Sequence, residues 1–516
     1  MRRPAIGAIF LLCSMAASEA LLLAEDDTTV YPVLTVHGQS FTNARIVRVT
    51  SAYAIIDFDA GGTRLLISDL PDDLQRKFGY DPAKAKQELD AEFKRNPRLQ
   101  ELRSEQLAAE TEPLSADWPQ WRGPNRNGAV KSGTVLAAIW PADGPRRLWS
   151  CRELPDGGSS SPVIAKDRVY AYIHQKAQEK DTVVCLDAAT GAKQWQQDFP
   201  VGVETMHEAS GSPCVTGDVC LVTGARTCYA LNAITGKLLW KKATADETPP
   251  TDPGVSQFDQ EFSSSFTTVA GVGVVLCGPA FGFDPGTGLI QWKGSEPGGW
   301  AGAITSAAVW RASHVIYAGR DRLCCVEAKS GRLEWELDGS KEFTTYAPTP
   351  AVAGDKLVAL HRGWLKCFDL ATGGPRELWR VPCGDEYSSP VANGDRVYTT
   401  SPKAINRANI GSAGQQGPYN LICRSLRTGT VLWQTAIANA QYSSPILANE
   451  YILVLTDNGG EIAMFDSRDG RLLATTAVGA RPCSSPSIAN GRLFLRVSHG
   501  MACYDLSASG NAQAAK

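Results

Sequence analysis

Histidine is scarce in this sequence, and its few copies show no spacing that would build a metal site. The 6 histidines among 516 residues are His37, His174, His207, His314, His361 and His499. None forms the short-range pairs that hold zinc. A nucleophile elbow and a glycine loop that cradles phosphate are missing as well. The sequence therefore offers none of the common signatures of hydrolases or nucleotide-binding proteins.

An excess of charge of one sign is also missing. The 51 Lys and Arg residues are balanced by 54 Asp and Glu residues, for a net charge of −3. No basic tract stands out, so nucleic acid is not an expected partner.

Long hydrophobic runs are confined to the N-terminus, which reads "MRRPAIGAIFLLCSMAASEALLLAEDD". Arg2 and Arg3 precede an apolar run and then small residues, which predicts a signal peptide over residues 1–24, cleaved after Ala20 or Ala24. A membrane anchor is the alternative. We expect an exported protein, in the periplasm or outside the cell, without a transmembrane segment after cleavage.

A phrase that ends in tryptophan recurs along the chain at intervals of 40 to 56 residues between its turn glycines. Clear copies are "CLDAATGAKQW" from Cys185, "ALNAITGKLLW" from Ala230 and "CVEAKSGRLEW" from Cys325. The turn glycines of the eight copies are Gly191, Gly236, Gly288, Gly331, Gly373, Gly429, Gly470 and Gly510. A period of this length indicates a repeat architecture.

A second phrase, such as "SSSPV" at Ser159 or "SSPIL" at Ser443, precedes each copy of the first. Each unit then reads as four short strands joined by turns, which is the size of a propeller blade. The segment "RRLWSCREL" from Arg146 is an outer strand without a blade of its own, and the last blade lacks its outer strand. The sequence predicts an all-β, eight-bladed β-propeller of four-stranded antiparallel blades within 117–508, closed by this N-terminal strand, with a disordered tail over 509–516.

The recurring phrase resembles the tryptophan-docking motif of the pyrroloquinoline quinone (PQQ) repeat family, and "WPQWRGPNRNG" from Trp118 is similar to the leader of exported bacterial members. The family contains quinoprotein dehydrogenases and also the barrel-assembly lipoprotein of the outer membrane, which is a scaffold. The motif is structural in both classes, so it does not choose between them.

Cysteine is frequent, with 14 copies, and Cys324 and Cys325 are adjacent. Cys325 falls at a position that small residues or cysteine hold in other repeats, which predicts a packing role for buried free thiols. A redox pair is the alternative. Cys214 and Cys220 lie on neighbouring strands of one blade, so we expect them to be the more plausible disulfide.

Two shorter regions precede the propeller. Residues 28–75 alternate between apolar and polar residues and predict about five short strands, in a pattern that resembles a small β-barrel of the Sla1-homology type. Residues 76–116 read as a charged helical linker, in which Asp81 caps a helix that opens at Pro82. The linker is either a solvated tether or a partner-binding helix.

The residues that precede each innermost strand should surround the mouth of the central channel. Several carboxylates meeting there could bind a cation, but we favour the alternative of a polar, water-filled rim. The candidates, all of low specificity, are His207, Glu208, Glu261, Trp300, Glu342, Asp385, Glu386 and Arg481.

A quinoprotein dehydrogenase requires Ca²⁺ held by Glu and Asn, an Asp base, an Arg and a Trp floor. No recognisable motif supplies the Asn or the Asp, and the loops are short apart from 243–262 and 402–419. We therefore expect no catalytic residues, no metal and no cofactor, and a protein or envelope component as the partner of an exported scaffold. A PQQ- and Ca²⁺-dependent dehydrogenase with a divergent site is the alternative function.

Overall fold

The computed structural model divides the chain into two units, Met1–Thr111 and Glu112–Lys516. The residues that the structure describes are 29–36, 39–59, 61–95, 117–175, 178–200, 211–224, 227–243, 264–277, 279–294, 305–318, 322–338, 348–361, 363–371, 374–384, 387–403, 417–440 and 442–510. The predicted signal peptide over 1–24 lies outside these residues.

The first unit is a four-stranded antiparallel meander followed by helices. Its elements are β1 (Val30–Val36), β2 (Gln39–Val49), β3 (Tyr53–Phe58), β4 (Gly61–Leu66), a 3₁₀ turn (Ile67–Asp69), α1 (Asp72–Lys77) and α2 (Pro82–Arg95). Alternate residues of the strands, among them Ala44, Ile46, Ala54 and Ile56, are buried in one core. The described residues of this unit contain four strands, where about five were predicted.

The start of α2 follows from its capping residue. Asp81 Oδ1 accepts hydrogen bonds from the backbone N–H groups of Ala83 at 2.9 Å and Lys84 at 3.3 Å. These N–H groups have no partner within the helix, and proline at the first helical position has no N–H to satisfy. The predicted cap is therefore confirmed, whereas the likeness to the Sla1-homology module remains a prediction. Residues 96–116 of the predicted linker lie outside the described part of the chain.

The second unit consists of β-sheets that follow one another along the chain. Among the described residues there are eight such sheets, each with four consecutive antiparallel strands from the innermost to the outermost, apart from the two exceptions given below. The first four have strands β7–β10 (Val163–Ala165, Arg168–Gln175, Lys180–Asp187, Lys193–Pro200), β11–β14 (Cys214–Thr216, Val219–Thr223, Thr227–Asn232, Leu238–Ala243), β15–β18 (Thr267–Val269, Val272–Leu276, Ala280–Phe283, Ile290–Lys293) and β19–β22 (Ala308–Trp310, His314–Ala318, Arg322–Glu327, Leu333–Asp338).

The remaining four sheets continue the pattern. Their strands are β23–β26 (Ala351–Ala353, Lys356–His361, Trp364–Asp369, Arg376–Pro382), β27–β30 (Val391–Asn393, Arg396–Pro402, Tyr419–Ser425, Val431–Ile437), β31–β34 (Ile446–Ala448, Tyr451–Thr456, Glu461–Asp466, Leu472–Ala477, with a 3₁₀ turn at Asp457–Gly459) and β35–β37 (Ser487–Ala489, Arg492–Val497, Gly500–Asp505). We call these sheets blades 1 to 8 in chain order. The predicted all-β propeller class is thereby confirmed.

Two strands from before blade 1 join later blades. Strand β6 (Arg147–Cys151) pairs with β37 as the outer strand of blade 8, and places Trp149 opposite Cys503. Strand β5 (Ala129–Val130) pairs in parallel with the innermost strand of blade 7, which therefore has five strands where four were predicted. Residues 511–516 of the predicted tail are outside the described range.

The outer-strand tryptophans connect each blade to the next. The indole N–H of Trp149, Trp195, Trp240, Trp292, Trp379 and Trp433 donates to a backbone carbonyl of the following blade, at 2.7 to 3.1 Å. Each of these rings also covers the turn glycine of that blade. A Cβ on Gly288, for example, would lie 2.5 Å from the ring of Trp240, and the φ of this glycine is +69°. The turn therefore needs glycine both for its conformation and for the approach of the indole.

The tryptophans of the outer strands also explain why the third strands carry small residues. Trp195, Trp335 and Trp433 stand directly opposite Cys185, Cys325 and Cys423. In blade 7 the outer strand has Ala474 instead of tryptophan, and the facing residue is the larger Met464. The larger side chain of Met464 thus fills the space that tryptophan fills in other blades, as close packing requires.

A ring of side-chain hydroxyl groups joins the innermost strands. In every blade, a backbone N–H donates to the Ser or Thr Oγ of the next blade, at 2.8 to 3.4 Å, and the eighth bond leads from Ser485 back to Ser161. All eight residues are buried. They are Ser161, Ser212, Ser265, Ser306, Thr349, Ser389, Ser444 and Ser485. We call them the hydroxyl ring.

A comparison of two tryptophans measures how much the indole hydrogen bond contributes to the free energy of unfolding. Trp292 donates to Ala328 O at 2.7 Å, whereas the indole N–H of the equally buried Trp335 has no hydrogen-bond partner among the described residues. We expect Trp292→Phe to lower the free energy of unfolding by about 1 kcal/mol more than Trp335→Phe, because it leaves a buried carbonyl unpaired. Urea denaturation followed by fluorescence and circular dichroism checks this, and equal losses would contradict it.

Candidate functional site

Most of the predicted channel-rim residues lie outside the described part of the chain. This holds for His207, Glu208, Glu261, Trp300, Glu342, Asp385 and Glu386, so their role stays a prediction. Arg481 is described, and it lies at the junction of blades 8 and 1. There its guanidinium pairs with Asp156 and its Nε donates to Gly158 O at 3.1 Å.

The centre of the propeller is occupied by residues 118–130, which we call the central segment. Trp118 exchanges backbone hydrogen bonds of 2.8 Å with Ile164 in blade 1, and Pro119 O accepts from Val215 of blade 2. On the other side, Gly128 O accepts from Leu447 of blade 7 at 3.0 Å. Together with side-chain bonds to blades 3, 5 and 6, these contacts place the segment across the channel.

Side chains of the central segment reach further blades. Gln120 Oε1 accepts from Thr268 Oγ1 of blade 3 at 3.1 Å, and Trp121 Nε1 donates to Thr349 Oγ1 of blade 5 at 3.0 Å. Since Thr349 belongs to the hydroxyl ring, Trp121 fixes the segment directly to the ring.

Two buried arginines, Arg122 and Arg126, are the most unusual feature of the central segment. Their exposed fractions are 2% and 3%. Arg122 donates to the carbonyls of Pro390 and Arg126, and Arg126 donates to Thr268 O at 2.8 Å. Burial lowers the pKa of Arg122 to about 9 and that of Arg126 to about 10. Both values remain above neutral pH, so both guanidinium groups carry a positive charge inside the protein.

Gly128 makes room for Arg122. Its φ is +77°, and a Cβ at this position would lie 2.9 Å from Arg122 Nη2 and from the side chain of Val391. Any other residue would push the guanidinium away from the carbonyl of Pro390. The glycine therefore belongs to the architecture that holds the arginine.

Sequence reasoning missed this arrangement. "WPQWRGPNRNG" was noted only as a leader similar to that of exported family members. The available signal was the presence of two arginines between glycines, prolines and asparagines in a segment without strand periodicity. That signal indicates an irregular, tightly placed backbone, but it does not reveal that the segment crosses a channel.

The cysteine predictions had two outcomes. Cys324 and Cys325 are buried free thiols, and they lie in two different cores on opposite faces of strand β21, so the predicted packing role is confirmed. The predicted Cys214–Cys220 disulfide is wrong, because both thiols are free. Cys214 pairs with Leu221 and Val215 with Cys220, so the two side chains point to opposite faces of the sheet.

Metal ligands and membrane-spanning helices were also examined. Within the described residues, no group of three or more His, Cys, Asp or Glu side chains could hold a metal ion. Across the same residues, no helix is long and apolar enough to span a bilayer.

With this geometry established, the chain was compared with known proteins. Residues 131–278, 280–435 and 419–513 match a family model described as outer membrane protein assembly factor BamB. The chain belongs to this family. The outer membrane protein assembly factor BamB of Yersinia pestis is 24% identical over 347 residues, which cover 63% of this chain and 79% of that protein.

Enzymes are among the similar proteins too. Tetrathionate hydrolase of Acidithiobacillus ferrooxidans is 25% identical over 444 residues, which cover 74% of this chain and 80% of that protein. The structure of quinohemoprotein alcohol dehydrogenase from Comamonas testosteroni superimposes with a TM-score of 0.58 at 12% identity, covering 78% of this chain and 81% of that one. A structural match at 12% sequence identity shows a shared fold and nothing about function.

The described part of the channel does not fit the Ca²⁺ site that a dehydrogenase would need. Ca²⁺ requires six to eight oxygen ligands, usually with several carboxylates. The charged side chains of the central segment are instead Arg122 and Arg126. Two cations at this place oppose a divalent cation and favour an anion.

The thiol assignments predict a pattern of chemical modification. Burial raises the pKa of Cys324 to about 12 and also raises that of Cys325, so both remain protonated and unreactive at neutral pH. We expect iodoacetamide at about pH 8 to modify the exposed Cys483 in the native protein, and Cys324 and Cys325 only after unfolding. Peptide mass spectrometry checks this. A Cys214–Cys220 or Cys324–Cys325 disulfide in a non-reducing digest would contradict it.

Proposed function

We propose that the protein is an exported, non-catalytic propeller that binds a protein partner in the bacterial envelope. Membership in the family is the observation that carries the proposal, since the relative from Yersinia pestis is named as an assembly factor of outer membrane proteins. Blades held together by buried tryptophans and hydroxyl groups suit a rigid surface for protein contacts. Export follows from the predicted signal peptide and is part of the proposal.

The central segment supports a role that uses the outer surfaces. Dehydrogenases and other propeller enzymes place ligands in the channel mouth. Here a peptide segment crosses the channel and contacts blades 1, 2 and 7 through its backbone. Partner contacts are then expected on the blade edges and on the two faces of the propeller.

Exposed apolar side chains mark one such region, which we call the outer patch. They lie at the start of the outer strands in blades 2, 3 and 4, with exposed fractions from 37% to 66%, and the same position is apolar and exposed in blades 6 and 7 at Val431, Leu432 and Leu472. The outer patch consists of Leu238, Leu239, Leu289, Ile290 and Leu333. Exposed apolar side chains on consecutive blades make this region a candidate surface for a protein partner.

The alternative is a PQQ-dependent dehydrogenase. It predicts tight stoichiometric binding of PQQ with Ca²⁺, together with dye reduction in the presence of alcohols or aldose sugars. Calorimetric titration and a dye-reduction assay on the purified protein separate it from the scaffold, for which neither signal is expected.

A pair of charge substitutions tests whether the outer patch binds the protein partner. Leu289→Glu places a carboxylate in the outer patch, whereas Gln291→Glu places one on an exposed residue two positions further along the chain, in strand β18. The full-length protein is cross-linked in the native envelope and the bound proteins are quantified by mass spectrometry. We expect Leu289→Glu to reduce the specific partner by about tenfold or more, because a charge in an apolar contact must be desolvated. Gln291→Glu should retain the partner.

Both variants must be folded, which circular dichroism and thermal unfolding establish. Equal partner recovery with the two variants would exclude the outer patch as the binding surface. PQQ binding with dye reduction would overturn the non-catalytic function altogether.

A further inference from the structure

Cys228 and Cys277 stand outside the position that the repeats give to cysteine. That position lies on the third strand, opposite the outer-strand tryptophan, and is held by Cys185, Cys325, Cys367, Cys423 and Cys503. In blade 2 it is held by Ala230, and Cys228 lies two residues before it. Cys277 directly follows β16, the second strand of blade 3. Packing against tryptophan therefore explains the five cysteines but not these two.

Other blades have larger or simpler apolar residues where blade 2 has Cys228. Two residues before the repeated position, the third strands carry Val183, Ala280, Leu323, Leu365, Leu421, Ile462 and Met501. An aliphatic side chain thus fills this place in every other blade. Cysteine here is a departure from the repeat that packing does not require.

The two thiols meet in the core between blades 2 and 3. Cys228 and Cys277 belong to the same buried cluster, with exposed fractions of 0% and 1%. Their side chains are in hydrogen-bond contact. Both thiols are free in the structure. Unlike Cys214 and Cys220, whose side chains point to opposite faces of one sheet, they face each other across the boundary between two blades.

Blades 2 and 3 are also joined by the longest connection between consecutive blades. Strand β14 ends at Ala243 and β15 begins at Thr267. Ala243 pairs with Thr227, the neighbour of Cys228, so the thiol pair lies beside the point where this connection leaves blade 2. Bringing the ends of a longer connection together costs more chain entropy, which a cross-link between the same two blades reduces.

We propose that Cys228 and Cys277 form a disulfide that links blades 2 and 3 when the chain folds in an oxidising compartment. The proposal rests on the export that is part of the proposed function, because disulfides form and persist outside the reducing cytoplasm. One cysteine loses its proton and attacks an external disulfide, either glutathione disulfide or the disulfide of a thiol oxidase. The second cysteine loses its proton and attacks the mixed disulfide. Two cysteine thiols are oxidised, and the external disulfide is reduced to two thiols.

The bond forms during folding and not in the completed propeller. Burial raises the pKa of Cys228 well above its usual range, so the attacking thiolate is scarce once the blades have closed. The same burial keeps external thiols away from a bond that has already formed. A stable structural disulfide is therefore expected, and not one that is repeatedly opened and closed.

Refolding of the full-length chain tests the pairing independently of export. The reduced protein is unfolded in urea and refolded in a mixture of reduced and oxidised glutathione, with circular dichroism to establish the fold. Free thiols are then alkylated under denaturing conditions, and a non-reducing digest is analysed by mass spectrometry. We expect Cys228 and Cys277 in one disulfide-linked peptide pair. The proposal is overturned if both are alkylated or if either is bonded to a different cysteine.

Thermal unfolding shows whether the bond links the blades. Wild-type protein refolded without reductant should unfold at a midpoint about 3 °C or more above that of protein kept reduced. Cys228→Ala should lose this difference. Cys423→Ala is the matched control, because it removes an equally buried thiol at the position that alanine holds in blade 2, and it should keep the difference. An unchanged difference in Cys228→Ala would contradict the proposal.

A measurement in cells needs neither refolding nor a variant. The full-length chain is produced in an exporting bacterium, thiols are trapped with N-ethylmaleimide during lysis, and the cell fractions are digested without reduction. We expect the Cys228–Cys277 peptide pair in the periplasmic fraction. Periplasmic protein with both thiols trapped would overturn the disulfide. Protein found only in the cytoplasm would instead overturn export, and with it the proposed function, while the refolding result still decides the pairing.

Discussion

The structure depends on hydrogen bonds that pass from blade to blade through the hydroxyl ring. Just before each innermost strand a backbone N–H faces the neighbouring blade, and this buried N–H would be costly if it were left unpaired. A Ser or Thr of the next blade supplies the acceptor in all eight blades. Six outer-strand tryptophans perform the equivalent task at the periphery, where each covers the turn glycine of the next blade. The blades are thus joined at both their inner and their outer edges.

The central segment uses this ring as its support. Trp121 donates to Thr349 of the ring, and strand β5 of the segment pairs in parallel with the innermost strand of blade 7. The fixed segment in turn places Arg122 and Arg126 away from water. A fold that assembles largely from repeats therefore acquires one non-repeating, positively charged centre.

The repeats made the fold predictable, because the two recurring phrases determine the strands, the turns and the contacts of tryptophan. The unpaired outer strand around Trp149 was identified in this way, and its pairing with β37 is observed. The serines of the second phrase were visible as a pattern, yet their role was not predicted. Recognising it requires knowing that a backbone N–H of one blade points at the hydroxyl of the next.

The remaining differences arise from contacts that sequence spacing does not encode. Cys214 and Cys220 lie on paired strands, but their register is offset by one residue, which turns their side chains to opposite faces. Arg122 and Arg126 belong to no repeat, so no alignment of the copies could assign them a place. All predicted rim residues except Arg481 lie outside the described part of the chain, so their positions stay a prediction.

The most direct test of the account compares two adjacent serines of blade 7. Ser444 Oγ accepts from the backbone N–H of Ser389 at 2.9 Å, whereas the equally buried Ser443 Oγ has no hydrogen-bond partner in the described structure. The measurement is the free energy of unfolding of Ser444→Ala and Ser443→Ala. The account predicts that Ser444→Ala costs about 1 to 3 kcal/mol and that Ser443→Ala costs little, because only the first leaves a buried N–H unpaired. Equal effects of the two substitutions would contradict the claim that the hydroxyl ring holds the propeller together.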